Sequence, residues 1–97
     1  MSPAEAPLVR RRCVVSGRVQ MVGFRAYAAR RADELGLQGW VRNRPDGRLE
    51  TVAQGPLPAV LDYIAFLREG PPAARVERVE VDEEPPGSGL PPFSIDA

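Results

Sequence analysis

Nine consecutive residues, Gly17-Arg18-Val19-Gln20-Met21-Val22-Gly23-Phe24-Arg25, constrain this chain more than any other stretch: they set two glycines and an arginine between a segment of strand periodicity and one of helix periodicity. A turn that enters a helix leaves the first helical N–H groups without internal partners, and the helix dipole adds partial positive charge at the same end. An anion is stabilised there. The stretch Gly17, Arg18, Val19, Gln20, Met21, Val22, Gly23 and Phe24 is therefore the candidate phosphate cradle, with Gly17 and Gly23 serving backbone shape. Arg25 adds a planar, permanently charged guanidinium able to hold two phosphoryl oxygens. Eighteen residues later, Gly39-Trp40-Val41-Arg42-Asn43 ends in a neutral amide that can accept from a water and donate elsewhere.

The 97 residues suffice for one small domain with a modest core. Residues 1–7 carry two prolines and little to bury, and read as a loose leader to a domain at 8–97. Val9, Cys13 and Val15 share one face of a first strand, interrupted on that face by Arg11. Arg10-Arg11-Arg12 reads as its solvated entry and not as a nucleic-acid patch, since no aromatic residues interleave with it. Beyond the loop, Phe24, Tyr27, Ala28 and Leu35 follow helical spacing and Gly36 supplies the stop. Trp40 and Val41 begin a second strand, and Arg44-Pro45-Asp46-Gly47 has the chemistry of a tight connection into a third, from Arg48 to Gly55. In that strand Leu49, Thr51 and Ala53 alternate with Glu50 and Gln54, as expected if only one face is covered.

Pro58 suits the first turn of a second helix whose buried stripe is expected at Val60, Leu61, Ile64 and Leu67. Val76, Val79 and Val81 mark a fourth strand, and their spacing of three then two predicts a twist or bulge. After the turn-rich Pro85-Pro86-Gly87-Ser88-Gly89, Phe93 and Ile95 suggest a short edge strand. The order βαββαβ predicts an α+β ferredoxin-like sandwich, with both helices on one face of an antiparallel sheet. That fold serves many unrelated functions, so chemistry must come from the loop and Asn43.

Residues 15–25 and 39–55 resemble the two motifs of the acylphosphatase family, and the order of elements extends the resemblance over the chain past its leader. The resemblance implies hydrolysis of small acyl phosphates to carboxylate and inorganic phosphate. Arg25 would bind the substrate phosphate and Asn43 would orient the attacking water, with no metal or other cofactor and as a monomer. Met21 stands where the family usually has glycine. If that position needs a positive φ, a methionine there is strained by about 1 kcal/mol or more.

Composition removes the competing chemistries. Without histidine, neither a Ser-His-Asp nor a Cys-His nucleophile system can be assembled. All 13 basic residues are arginine, which rules out a P-loop or Schiff-base lysine. The single cysteine, Cys13, lies one residue short of the Cys-x5-Arg spacing to Arg18 and reads as a core residue. It permits no intrachain disulfide, and with no His it leaves no structural zinc ligand set, so a reducing cytoplasm is expected. Asp82-Glu83-Glu84 reads as a solvated strand end and not as a metal cluster. Thirteen basic residues balance 13 acidic ones, so no global field recruits nucleic acid or an anionic membrane, and no run of about 18 apolar residues occurs. An RNA-binding sandwich shares the element order, but this chain lacks the aromatic-rich motif that binds RNA on such a sheet.

What remains is catalysis by positioning and charge. Arg18 and Arg42 could raise the local potential, though solvated positions explain them equally well, and Trp40 reads as packing. Taken singly, Arg25 is a surface arginine in the first turn of a helix and Asn43 a strand-end residue. The alternative function is a non-catalytic anion-binding or protein-interaction module on the same fold.

Overall fold

The computed structural model describes residues 6–96. The expected leader falls mostly on residues 1–5, outside the described residues; the Pro7 carbonyl accepts the Leu57 N–H at 3.0 Å. The chain runs β1 (Leu8–Arg18), α1 (Phe24–Glu34), β2 (Gln38–Asn43), β3 (Leu49–Pro56), α2 (Leu57–Glu69), β4 (Arg75–Glu84) and β5 (Ser94–Ile95). One sheet has the strand order β4-β1-β3-β2-β5. The ferredoxin-like βαββαβ arrangement is thus present, with one correction. The sheet is mixed, because β5 pairs parallel to β2, Trp40 opposite Ser94 and Val41 opposite Ile95. The direction follows from connectivity. Strand β4 runs antiparallel to β1 and finishes at the end of the sheet where β2 starts, so a chain crossing that end enters the far edge running the same way as β2.

The helices bury Phe24, Ala28 and Ala32 from α1 and Val60, Tyr63, Ile64 and Leu67 from α2 against Cys13, Val15, Val41, Leu49 and Ala53 of the sheet. Leu61, expected in the stripe, is 53% exposed, and Tyr63 takes the inward position. Spacing explains the exchange: 60, 63, 64 and 67 are one face of a helix, and 61 lies a further step round. The Tyr63 hydroxyl lies 2.9 Å from Thr51 Oγ1, which donates to the Trp40 carbonyl at 2.7 Å. Having given its one proton away, Thr51 accepts from Tyr63, and this buried polar pair is satisfied. Cys13 is a buried core residue, its thiol pushed up to about 12, chiefly by burial.

The irregularity predicted in β4 is present: Ser16 faces Arg78 but Gly17 faces Val76, so Glu77 is an extra residue opposite a single step of β1. Gly17 sits at φ 121°, with the Arg75 carbonyl occupying the space a Cβ would need. Any side chain there would break the β1–β4 pairing.

The third strand departs from expectation. Its residues from Leu49 to Gly55 are all buried, including Glu50 and Gln54, which were expected on an open face. Two features cover them. Arg12 and Arg42 close over Glu50 from the neighbouring strands, and the segment crossing from β4 to β5 lies against Gln54, where Gly87 exchanges two hydrogen bonds with its amide at 2.7 and 3.0 Å.

Candidate active site

The loop leaving β1 is anchored twice before it reaches α1. Val19 is only 1% exposed and inserts into the core. Gln20 Nε2 donates to the carbonyls of Arg44 and Arg48 at 2.7 and 3.0 Å, tying the loop to the β2–β3 hairpin just past Asn43. Met21 then turns to φ 63°, the one described non-glycine residue with positive φ, and its side chain is completely exposed. The strain anticipated at this position is therefore present. Gly23, at φ 77°, is the N-cap of α1 and offers no side chain to cap it. The first helical bond runs from the Tyr27 N–H to the Gly23 carbonyl at 3.1 Å, so the amides of Phe24, Arg25 and Ala26 precede the helical ladder. No acidic residue occupies that first turn to neutralise it.

Beside this helix start lies a cavity of about 260 Å³. Of the residues predicted for the site, Met21, Gly23, Phe24, Arg25 and Asn43 line it. The others do not. Gly17 and Arg18 are still in β1, paired with Val76 and Arg75; Val19 and Val22 pack on the core; Gln20 uses its amide on the hairpin. Asn43 projects its amide from the end of β2, and its Oδ1 is buried with no hydrogen-bond partner among the described residues. Arg25 Nη1 donates to the Asp96 carbonyl at 3.3 Å, and among the described residues its guanidinium has no carboxylate partner. Among the described residues it is the only charged side chain lining the cavity.

Nearby arginines are otherwise engaged. Arg44 and Arg48 flank Asp46, whose carboxyl is held below the usual range chiefly by the Arg48 hydrogen bond. Arg42, a candidate for raising local potential, lies on the opposite face, where it pairs with Glu50 at 2.8 Å and sits over the Trp40 ring at 5.4 Å. Trp40 is thus a packing partner, as its place in β2 suggested.

Two lining residues, Ala26 and Ile95, were missed. Ala26 follows from Arg25 by helical geometry alone. Ile95 comes from β5, fixed by the Asp96 N–H bond to Val41 at 2.8 Å and by Phe93 packing edge-on to Tyr63, ring centroids 5.7 Å apart. The expectation of a terminal strand at Phe93 and Ile95 was the only sequence signal that could have led there.

The family model for acylphosphatase matches residues 11–95. The chain belongs to the acylphosphatase family. It is 52% identical over 84 residues to the acylphosphatase of Rubrobacter xylanophilus, covering 87% of this chain and 76% of that one. It is 50% identical over 90 residues to the acylphosphatase of Anaeromyxobacter dehalogenans, covering 93% and 97%. The crystal structure of acylphosphatase from Bacillus subtilis superposes with a TM-score of 0.88 at 39% identity, covering 92% of this chain and 99% of the other. With identity and fold agreeing over nearly the whole length, the acylphosphatase assignment covers both the helix start and the strand that carries Asn43.

Proposed function

We propose that this chain is an acylphosphatase that hydrolyses the carboxyl–phosphate anhydride of small acyl phosphates, with Arg25 and Asn43 as its catalytic residues. The observation that carries the assignment of residues is the meeting on one cavity of the Arg25 guanidinium, which has no carboxylate partner among the described residues, the first amides of α1, and Asn43, whose Oδ1 has no hydrogen-bond partner there. In this reading the amides at the start of α1 and Arg25 hold the phosphoryl group and support charge on its equatorial oxygens as the bond to the acyl oxygen breaks. The Asn43 amide orients a water opposite the leaving group. The water oxygen bonds to phosphorus, the carboxylate departs with the electron pair of the broken bond, and the water's proton passes to a phosphoryl oxygen, because an amide is too weak a base to take it.

A good carboxylate leaving group needs no enzyme nucleophile, which suits a chain with no histidine and with Cys13 buried in the core. Of the predicted cradle, Gly17 acts through the shape of β1 and Gln20 through its grip on the hairpin, while Met21, Gly23 and Phe24 border the substrate. Arg25 and backbone amides take the place of a metal in balancing phosphate charge. The same reading takes residues 8–97 as one domain, acting as a monomer in the cytoplasm. Among the described residues no helix is long and apolar enough to cross a membrane.

Acyl phosphate and a phosphate monoester offered to the purified protein test the proposal. Hydrolysis of the first only, insensitive to a chelator and inhibited competitively by inorganic phosphate, is expected. A protein that binds phosphate yet turns over neither compound would be the anion-binding module instead.

A further inference from the structure

The Gln20 side chain spends both of its N–H protons on one turn, donating to the carbonyls of Arg44 and Arg48 at 2.7 and 3.0 Å. The same two carbonyls close the β2–β3 hairpin: Arg48 accepts the Arg44 N–H at 2.8 Å and Arg44 accepts the Gly47 N–H at 3.1 Å. Each carbonyl therefore accepts two hydrogen bonds, as many as its lone pairs allow, and the hairpin has closing bonds of its own without Gln20. What Gln20 adds is a tie between two regions. It lies shortly before Gly23, the N-cap of α1, and Arg44 directly follows Asn43. Among the described residues no other hydrogen bond and no ion pair joins residues 19–23 to residues 43–48.

We infer that Gln20 is a positioning residue for the chemical step: its amide sets the separation between the phosphate grip at the start of α1 and the water held by Asn43. The inference rests on the acyl-phosphate reading of the site and deepens it. The groups that grip the phosphoryl end all belong to α1, and Arg25 has its own brace in the Asp96 carbonyl at 3.3 Å. The water is held from β2, where the pairing of Asn43 with Leu49 fixes the backbone. Grip and water thus sit on two separate bodies, and in-line attack needs the water oxygen within about 3.5 Å of phosphorus. Val19 anchors the start of the loop in the core, but an apolar contact is non-directional, whereas two hydrogen bonds from one planar amide fix both distance and direction. A shift of about an ångström between the bodies leaves the anion bound and misplaces the nucleophile, at a cost of up to about 10²-fold in rate.

The test is a cycle of variants: Gln20→Met and Gln20→Asn, each in the wild-type and the Asn43→Ala background, assayed for hydrolysis of acetyl phosphate and for inhibition by inorganic phosphate. Gln20→Met keeps the length of the side chain and removes both donors, and Gln20→Asn keeps the amide on a shorter stem. In the wild-type background Gln20→Met should lower kcat by about tenfold and Gln20→Asn by less, with the inhibition constant of phosphate changed by no more than about twofold. On Asn43→Ala no water-holder is left to misplace, so Gln20→Met should change the residual rate by less than about twofold. A loop that merely loosens would lower the rate by the same factor in both backgrounds. That additive result, wild-type turnover in both Gln20 variants, or loss of phosphate inhibition together with turnover in both overturns the inference, while an active wild type leaves the acylphosphatase reading standing. A wild type that hydrolyses no acyl phosphate sinks that reading, and the positioning role with it.

Discussion

The two faces of the sheet carry polar groups on opposite terms. On the face away from the helices, Glu50 is 1% exposed and both its oxygens are engaged, by Arg12 and by Arg42. Burial alone would raise its carboxyl, but the hydrogen bonds and charges of Arg42 and Arg12 outweigh that and leave it below the ordinary range. At the start of α1, by contrast, Arg25 has no carboxylate among the described residues, Asn43 Oδ1 has no partner and Met21 is strained. Among the described residues, the one other orphaned buried side-chain atom, Arg31 Nε, belongs to a guanidinium lying over the Phe66 ring. A polar group that completes its own bonds holds the fold together, and one left incomplete is poised for something outside the chain. Substitutions should therefore separate the two regions: stability should respond on one face, activity on the other.

The sharpest separation is expected at Arg25. Arg25→Ala removes the cavity's only charged side chain among the described residues and should lower turnover by roughly 10³-fold with weakened phosphate inhibition. Urea unfolding should shift by no more than about 0.5 kcal/mol, because a surface substitution without a paired charge costs little. Wild-type turnover in this variant would break the comparison outright. Asn43→Ala comes next, with turnover lower by roughly 10²- to 10³-fold. Inorganic phosphate should bind it nearly as before, and removing an unsatisfied buried oxygen should not destabilise the fold. Loss of phosphate binding at an unchanged chemical rate would move Asn43 from the water to the substrate.

On the opposite face, Glu50→Gln should cost about 1–2 kcal/mol of stability while leaving kcat/KM within about twofold. The estimate sits below the usual penalty for breaking a buried pair because both arginines are partly exposed and can be resolvated. Its pH dependence checks the sign. The Glu50 carboxyl titrates lower folded than unfolded, so its contribution is fully present above an unfolded value of about 4.3 and is lost as pH falls through the folded value. The gap between wild type and Glu50→Gln in urea should close over that acidic range and stay constant from pH 6 to 8. The smallest effect belongs to Met21→Gly. Relief of roughly 1 kcal/mol of backbone strain is offset by the extra freedom of glycine in the unfolded chain, for a net change within about 0.5 kcal/mol. A clear loss of stability would show that Met21 packs on the protein itself.

Local chemistry was legible in the sequence and long-range cover was not. Glycines at 23 and 36 marked the turns, and Gly17 the close approach of β1 to β4, because they answer a backbone requirement, and the interrupted valine spacing of β4 announced its bulge because alternation is a property of one strand. The order of elements followed from periodicity, and Arg25 with Asn43 from motif chemistry. Burial of Glu50 and Gln54 could not be read from β3, since what covers them comes from β1, β2 and residue 87. Gln20 was assigned to substrate by its place in the motif, and only the proximity of the hairpin shows its amide already engaged. Leu61 lies just past one edge of the buried stripe and Tyr63 at the other, a choice that hydrophobicity alone does not resolve when a buried tyrosine can find a hydroxyl partner.

The shortness of β5 sets where the cavity is weakest. Its two residues, Ser94 and Ile95, pair with β2, whereas β1 and β3 share eight paired positions, so the side of the cavity that carries Ile95 is held by far fewer backbone bonds than the sandwich behind it. A segment with few such bonds opens locally at a lower free energy than the core, and the cavity is thus expected to open at β5 while the four antiparallel strands stay paired.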